Sequence, residues 1–363
     1  MDREFFCGKR VLVTGHTGFK GTWLCKLLEL LGAEVYGYGL PAPTEEGAKV
    51  FRSSGVAAGM ESMLGDVRDL SKLSAFFAKC QPELVLHLAA QPIVRESYRD
   101  PVGTYSTNVM GTVHVLECVR QCSSVRSFLN VTTDKVYENR EWPWGYRECD
   151  PLDGFDPYSN SKSCSELVTH SYQKSFFADG HTAISTARAG NVIGGGDFSV
   201  DRILPDCIRA AVAGREIEVR NPYSTRPYQH VLEPLMVYLL IVQRQYEDGH
   251  LAGAYNVGPD DCDCVTTGAL AGLFCEAWGE GMQWKHLGDA GPHEAHFLKL
   301  DCSKLKTVFG WQPRWHIQEA VEKTVAWAKL YATGGDIAAC MEAQIEKFFQ
   351  AETVGSRTGV SRL

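Results

Sequence analysis

Tyr158 and Lys162, in the stretch YSNSK, lie four residues apart, a spacing that puts phenol and ammonium on one helix face. Tyrosine titrates near about 10 and is a poor base at neutral pH, but a neighbouring cation favours its phenolate. Such a pair suits removal of a proton from a hydroxyl. A second group sits in VTTDKVYE, residues 131–138, where Asp134 and Lys135 follow Thr133 at the end of a β-branched run. Acid and base side by side read either as a structural ion pair or as two proton carriers at a reacting carbon, with Thr133 placed to hydrogen-bond a substrate hydroxyl beside Tyr158. A third group is Gly15, Gly18 and Gly21 in GHTGFKG. Glycines between a strand and a helix let backbone amides and the helix N-terminus hold a pyrophosphate.

The elements that must carry these residues alternate regularly. KRVLVTG, residues 9–15, is a β-branched strand that enters the glycine turn, and the apolar spacing of Trp23, Leu24, Leu27, Leu28 and Leu31 predicts a helix stopped by Gly32. AEVYGYGL, SMLGDV, PELVLHLAA, RSFLNVTT and TAISTARAGNVIG read as further strands, apolar on both faces in the manner of a parallel sheet covered by helices. DLSKLSAFFAKC is a helix; Asp100-Pro101 starts another that runs to about Gln121, and Asp156-Pro157 starts the helix holding Tyr158 and Lys162. The fold class is therefore α/β, a doubly wound parallel sheet of at least six strands. Residues 1–188 form the dinucleotide-binding domain with the catalytic residues, residues 189–350 a smaller, interleaved substrate lobe whose clearest helix is VLEPLMVYLLIVQRQYE, and residues 351–363 a polar, disordered tail. In this arrangement the end of the fifth strand, and with it Asp134, faces the edge where open α/β sheets bind ligands.

Composition narrows the function classes. The 363 residues are 44% hydrophobic and 22% charged, with no apolar run long enough to span a bilayer. A net charge of -8 argues against a nucleic-acid surface. An acidic start, Met1-Asp2-Arg3-Glu4, followed at once by a strand leaves no room for a secretory segment and predicts a cytoplasmic protein, so the thirteen cysteines read as reduced thiols. Cys262-Asp263-Cys264 and the histidines of HEAH, His293 and His296, lack the partners of a metal site, and no metal is expected. The acid that normally follows the second strand is missing: Tyr38, Gly39 and Leu40 stand there, while Arg52 is too distant to argue for a 2'-phosphate. NAD is the expected cofactor, with Asp66 placed to bond the adenine. Arginines 188, 202, 209, 215, 220 and 226 stand in a stretch free of lysine. They read as solvated helix faces, with one or two of them as planar forks for a phosphate.

The glycine turn, HLAAQ at 87–91, TNVMGT at 107–112, TTDKVY and YSNSK together resemble the extended short-chain dehydrogenase/reductase family over roughly the first 330 residues. Asp134 narrows the resemblance to the nucleotide-sugar 4,6-dehydratases; most of these carry glutamate next, so Lys135 is a departure that, with GHTGFKG, ENREWPWGYRE and RPYQHVLEPL, points to one member of the family. That likeness implies cofactor contacts from Gly15, Thr17, Gly18, Phe19, Lys20, Gly21, Asp66, Val67, Leu88, Ala89, Ala90, Asn108, Tyr158 and Lys162. It implies substrate contacts from Asn191, Arg202, Arg226 and Tyr228, the last standing where tryptophan is usual. It also implies the roles: Tyr158 takes the C4 hydroxyl proton as tightly bound NAD+ takes the hydride, Asp134 protonates the leaving C6 hydroxyl, and Lys135, buried beside Lys162 and so neutral part of the time, abstracts or relays the C5 proton. A homodimer or homotetramer through the helices beginning at Pro101 and Pro157 is expected. The alternatives are an inverting UDP-N-acetylglucosamine 4,6-dehydratase, which also carries Asp then Lys, a 4-epimerase, which needs neither, and a noncatalytic NAD sensor, which would not need Tyr158 and Lys162. Trp142, Trp144 and Tyr146, in the long loop 138–156, either close over the hexose or pin the loop.

Overall fold

The computed structural model describes residues 1–288 and 297–351. HEAH and the polar tail from residue 352 onward lie outside the described residues.

The first half alternates strand and helix as its apolar runs dictate: β1 (Arg10–Thr14), α1 (Phe19–Leu30), β2 (Glu34–Gly39), α2 (Glu45–Ser53), β3 (Met60–Leu64), α3 (Leu70–Cys80) and β4 (Leu84–His87). The segment expected as one helix from Pro101 to about Gln121 is helical throughout, with one change of pitch. After α4 (Val94–Arg99) and α5 (Pro101–Tyr105), a π-helical turn at Ser106–Met110 precedes α6 (Gly111–Gln121). Wider turns of this kind cluster at functional sites, and this one carries Asn108. β5 (Ser127–Thr133), α7 (Pro157–Phe176) and β6 (Ala183–Ala189) follow. Asp100 and Asp156 cap α5 and α7 by accepting from the amides of Gly103 (2.8 Å) and Ser159 (3.0 Å), which leaves each following proline where a missing N–H costs nothing.

The remaining elements are β7 (Val192–Ile193), α8 (Ile203–Val212), β8 (Ile217–Val219), β9 (Thr225–Pro227), β10 (Gln229–His230), α9 (Leu232–Glu247), β11 (Ala254–Val257), β12 (Cys264–Thr266), α10 (Thr267–Trp278), β13 (Trp284–His286), α11 (Ser303–Phe309), α12 (Ile317–Ala332) and α13 (Ile337–Gln350). β11 returns to the main sheet and pairs in parallel with β6, giving seven parallel strands in the order β11-β6-β5-β4-β1-β2-β3. The protein is thus a doubly wound α/β fold with an interleaved second lobe. α1, α9 and α13 cover one face of the sheet with one apolar cluster; α3 and α6 cover the other. A third cluster unites α8, β8, α10 and α12 in the second lobe.

Strand order reverses between β1 and β4, the switch point where such sheets take ligands at their carboxyl edge. The chain is tight there: a Cβ on Gly15, which has φ +76°, would stand 2.8 Å from the Ala89 nitrogen.

Candidate active site

The glycine turn fits a dinucleotide. A Cβ on Gly21 would lie 2.2 Å from the Gly15 carbonyl, so only glycine lets α1 start this close to the turn, and Gly18 caps α1 without a side chain. The first-turn amides are therefore open to an anion. Thr17 donates to the Leu40 carbonyl at 2.7 Å and ties this turn to the end of β2. Phe19 packs against the main core, and Leu88, Ala89 and Ala90 follow β4 across the switch point.

Two cofactor-side residues already have protein partners. Both oxygens of Asp66 are gripped by Arg68, at 2.6 to 3.0 Å, which holds the carboxyl below its ordinary range. Asn108 is buried and fully used: Oδ1 accepts from the Gln91 amide (2.9 Å) and Nδ2 donates to the Gln91 carbonyl (3.1 Å) and Ser161 (2.9 Å). It positions the loop after β4 against α7. Val67 is buried, its carbonyl bonded to His114. The missing acid has a packing explanation. Tyr38 points into the core and donates to the Asp66 carbonyl at 3.1 Å, so its place in the strand is taken by an inward-facing ring.

Tyr158, Lys162, Thr133 and Asp134 are all buried at the carboxyl end of β5. The Tyr158 phenol lies in hydrogen-bonding reach of Thr133; burial pushes its pKa up to about 12, and the foremost cation acting against that is Arg202. The Lys162 ammonium is not directed at the phenol, as its spacing suggested. It donates to the Val131 carbonyl at 3.1 Å, and burial lowers its pKa to about 8. Helical spacing fixes a shared face, but the ammonium goes to the nearest unpaired acceptor.

Asp134 is 1% exposed. Its Oδ1 accepts from the Thr133 hydroxyl at 3.0 Å, whereas Oδ2 has no hydrogen-bond partner. Burial raises its pKa, and Lys135, Thr133, Arg226 and Lys20 act in the opposite sense. A carboxyl so placed holds a proton it can give away. Lys135 also departs from expectation: it is only half-buried, and the charge it faces is Asp134 and not Lys162.

The substrate-side residues divide. Arg226 is buried with its NH1 on the Thr225 carbonyl (2.9 Å) and acts on Asp134. Arg202 is half-exposed and paired with Asp197 at 3.0 Å. Asn191 follows β6, its carbonyl accepting from Gln229 at 3.0 Å. Tyr228 is buried in the second-lobe cluster with its hydroxyl 3.3 Å from Thr267. The aromatic loop is pinned: Tyr146 stacks on Tyr137 and Trp142, at 5.3 and 5.4 Å, and bonds by its backbone to Lys299 and Asp301, while Trp144 stays exposed.

Sequence reasoning missed three residues here. Gly190 leaves no room for a side chain, since a Cβ would meet the Pro227 carbonyl at 3.0 Å and Asp134 at 3.4 Å; glycine just after a strand was the available signal. Asp197 pairs with Arg202 and acts on Lys20, whose own pKa burial lowers to about 8. Glu166, one turn beyond Lys162, is treated below. Outside the site, Cys262, Asp263 and His316 come together, but the Asp263 carboxylate is taken by the Ile317 amide (2.9 Å) and His316 (2.8 Å) at the start of α12. It serves as a helix cap.

A parallel doubly wound sheet with a glycine turn at its switch point and a Tyr-Lys helix beside an acidic strand end defines a nicotinamide-dependent short-chain dehydrogenase/reductase scaffold. The chain belongs to the GDP-mannose 4,6 dehydratase family, whose model matches residues 12–324. It is 46% identical over 359 residues to the CDP-glucose 4,6-dehydratase of Salmonella typhimurium, spanning 97% of this chain and 99% of that one. A dTDP-glucose 4,6-dehydratase of Streptomyces antibioticus is 27% identical over 87% of this chain and 91% of its own. Among solved structures, UDP-glucose 4-epimerase of Thermus thermophilus in complex with NAD superposes with a TM-score of 0.76 at 25% identity, covering 88% of this chain and 98% of that chain. The dTDP-glucose 4,6-dehydratase of Bacillus anthracis, also with NAD, gives 0.75 at 20% identity over 90% and 98%.

Proposed function

We propose that this protein is a hydro-lyase that converts CDP-glucose to CDP-4-keto-6-deoxyglucose with NAD as cofactor. The observation that carries the reading is Asp134: a buried carboxyl with one unpartnered oxygen, between Lys135 and Arg226 and one residue from the threonine that meets Tyr158. A 4-epimerase does not eliminate the C6 hydroxyl and has no use for such an acid, and the strong relatedness to a CDP-glucose 4,6-dehydratase supports the substrate. Bound NAD+ supplies the hydride acceptor at C4 and, once reduced, the donor at C6, so it is regenerated in each turnover. Tyr158 receives the C4 hydroxyl proton, helped by the positive charges of Lys162 and Arg202; Asp134 gives its proton to the departing C6 hydroxyl; and Lys135 takes or relays the C5 proton. The first lobe, 1–188, holds the cofactor and these residues. The second, 189–350, holds the nucleotide sugar, with Arg226 and Arg202 on its diphosphate and Asn191 nearby; Arg202 must leave Asp197 to do so.

Among the described residues no helix is long and apolar enough to cross a membrane. The protein works in the cytoplasm, at an early step towards the deoxy- and dideoxyhexoses of surface polysaccharide. It does so as a homodimer or homotetramer through the α5 and α7 faces, where Val102 and Leu167 are exposed. Mass spectrometry, with proton NMR to distinguish epimers of equal mass, of products from CDP-, dTDP-, GDP- and UDP-glucose and UDP-N-acetylglucosamine tests the reading. Loss of water from CDP-glucose alone is expected; a C4 epimer, or dehydration of UDP-N-acetylglucosamine in its place, overturns it.

A further inference from the structure

α7 carries a second charged residue that no step of the reaction uses. Glu166 lies four residues beyond Lys162, on the same helix face, and is as deeply buried as the lysine. Its carboxylate is surrounded: Oε1 accepts from the Thr132 hydroxyl, and Oε2 from Thr186 Oγ1 at 2.8 Å and Arg188 at 2.9 Å. Arg188 is itself buried and reaches on to the Tyr137 hydroxyl at 2.9 Å. Three charges therefore run through the interior in the order Lys162, Glu166, Arg188, directly beneath the carboxyl ends of β5 and β6.

We infer that Glu166 is a positioning residue for the reaction: fixed by Arg188, Thr132 and Thr186, it holds the Lys162 ammonium in its charged form on the Val131 carbonyl, one helical turn from Tyr158. Other neighbours cannot do this. On β4 the facing group is His87, buried and bonded to Thr14 and Thr112, with its pKa lowered to about 3 so that it stays neutral. On α1 it is Lys20, a like charge that opposes a second cation. From β5 it is the neutral Val131 carbonyl, and Arg188 on β6 is turned to Glu166. Burial lowers the Lys162 pKa, and Glu166 is the group that acts to raise it. Arg188 makes this possible because it anchors the carboxylate without neutralising it by proton transfer.

The inference rests on the dehydratase reading. Its test is the pH profile of kcat/KM for CDP-glucose with the purified, NAD-loaded protein. The cationic lysine exists below its pKa, so removing the carboxylate moves the alkaline limb downward. In Glu166→Gln this limb is expected about one pH unit lower, a loss of about tenfold on the alkaline side against near-normal activity well below it. Glu166→Gln leaves Arg188 buried without its partner, which threatens folding. The double variant Glu166→Gln/Arg188→Met removes both ends of the pair and is expected to show a smaller shift in the same direction, because a more distant positive charge goes with the carboxylate, while Glu166→Asp retains the charge and is expected to keep the wild-type limb. A folded double variant with an unmoved limb, or a loss of equal size at every pH, makes Glu166 merely structural and overturns the inference alone. A wild-type protein that does not dehydrate CDP-glucose overturns the proposed function and this inference with it.

Discussion

Two buried carboxyls, Asp134 at the end of β5 and Glu233 at the start of α9, obey the same physics and do different work. Both are almost wholly removed from water, both have one oxygen without a hydrogen-bond partner, and burial raises the pKa of each, Glu233 to about 8. Their surroundings separate them. The second oxygen of Glu233 accepts from the amides of Arg314 and Trp315, at 2.8 and 2.7 Å, and so clamps the chain entering α12 onto the main core. Asp134 has as neighbours a threonine, two lysines and an arginine from three different chain segments, at a sheet edge next to Tyr158. A raised pKa marks burial; convergence of titratable groups in a cleft marks chemistry.

Four substitutions break or sharpen this contrast. Asp134→Asn, which keeps shape and removes the proton, is expected to lower kcat by about 10²–10⁴-fold with NAD and sugar binding retained; near-normal turnover would make Asp134 a second Glu233. Arg226→Ala comes next. It removes a cation that acts on Asp134 and is proposed to meet the diphosphate, and a KM for CDP-glucose raised about tenfold, with NAD content unchanged, is the expected result. An unchanged KM would confine Arg226 to structure.

Glu233→Gln is expected to leave kcat near wild type and to change stability. The folded protein keeps the Glu233 proton up to about 8 while the unfolded chain loses it at the ordinary carboxyl value, so folding binds a proton between those limits and stability falls as pH rises through that window. Thermal melts at pH 5 and pH 8 should therefore differ less in Glu233→Gln than in the wild type. The smallest effect belongs to Trp144→Ala: with 69% of the residue exposed and the loop held by Tyr146, stability should change by less than about 0.5 kcal/mol and KM not at all. A marked rise in KM would mean that this tryptophan closes over the sugar.

The sheet and the cofactor turn were legible because their signals are local. A β-branched run before GHTGFKG, or Asp-Pro before a helical repeat, acts within a few residues, and each of these segments formed the expected element. Lower legibility met the π turn at Ser106–Met110, whose shape serves Asn108's bonds to a different loop, and α2, which has few apolar residues to reveal it. Position in the RPYQH motif likewise does not say which way the Tyr228 ring packs, and here it packs into the second lobe.

By itself the sequence determined the class of chemistry. Tyrosine and lysine one turn apart, an acid at a strand end and glycines at a strand-helix junction are short-range facts of spacing, and they outlast any detail of packing. Only the tertiary structure decided how those groups are charged. Lys162 turns to the Val131 carbonyl, Lys135 faces Asp134, Arg68 occupies Asp66, and Glu166 is tied to Arg188, because electrostatic energies depend on distance and burial among segments far apart in the chain. Spacing along one helix carries no information about the strand that packs beneath it.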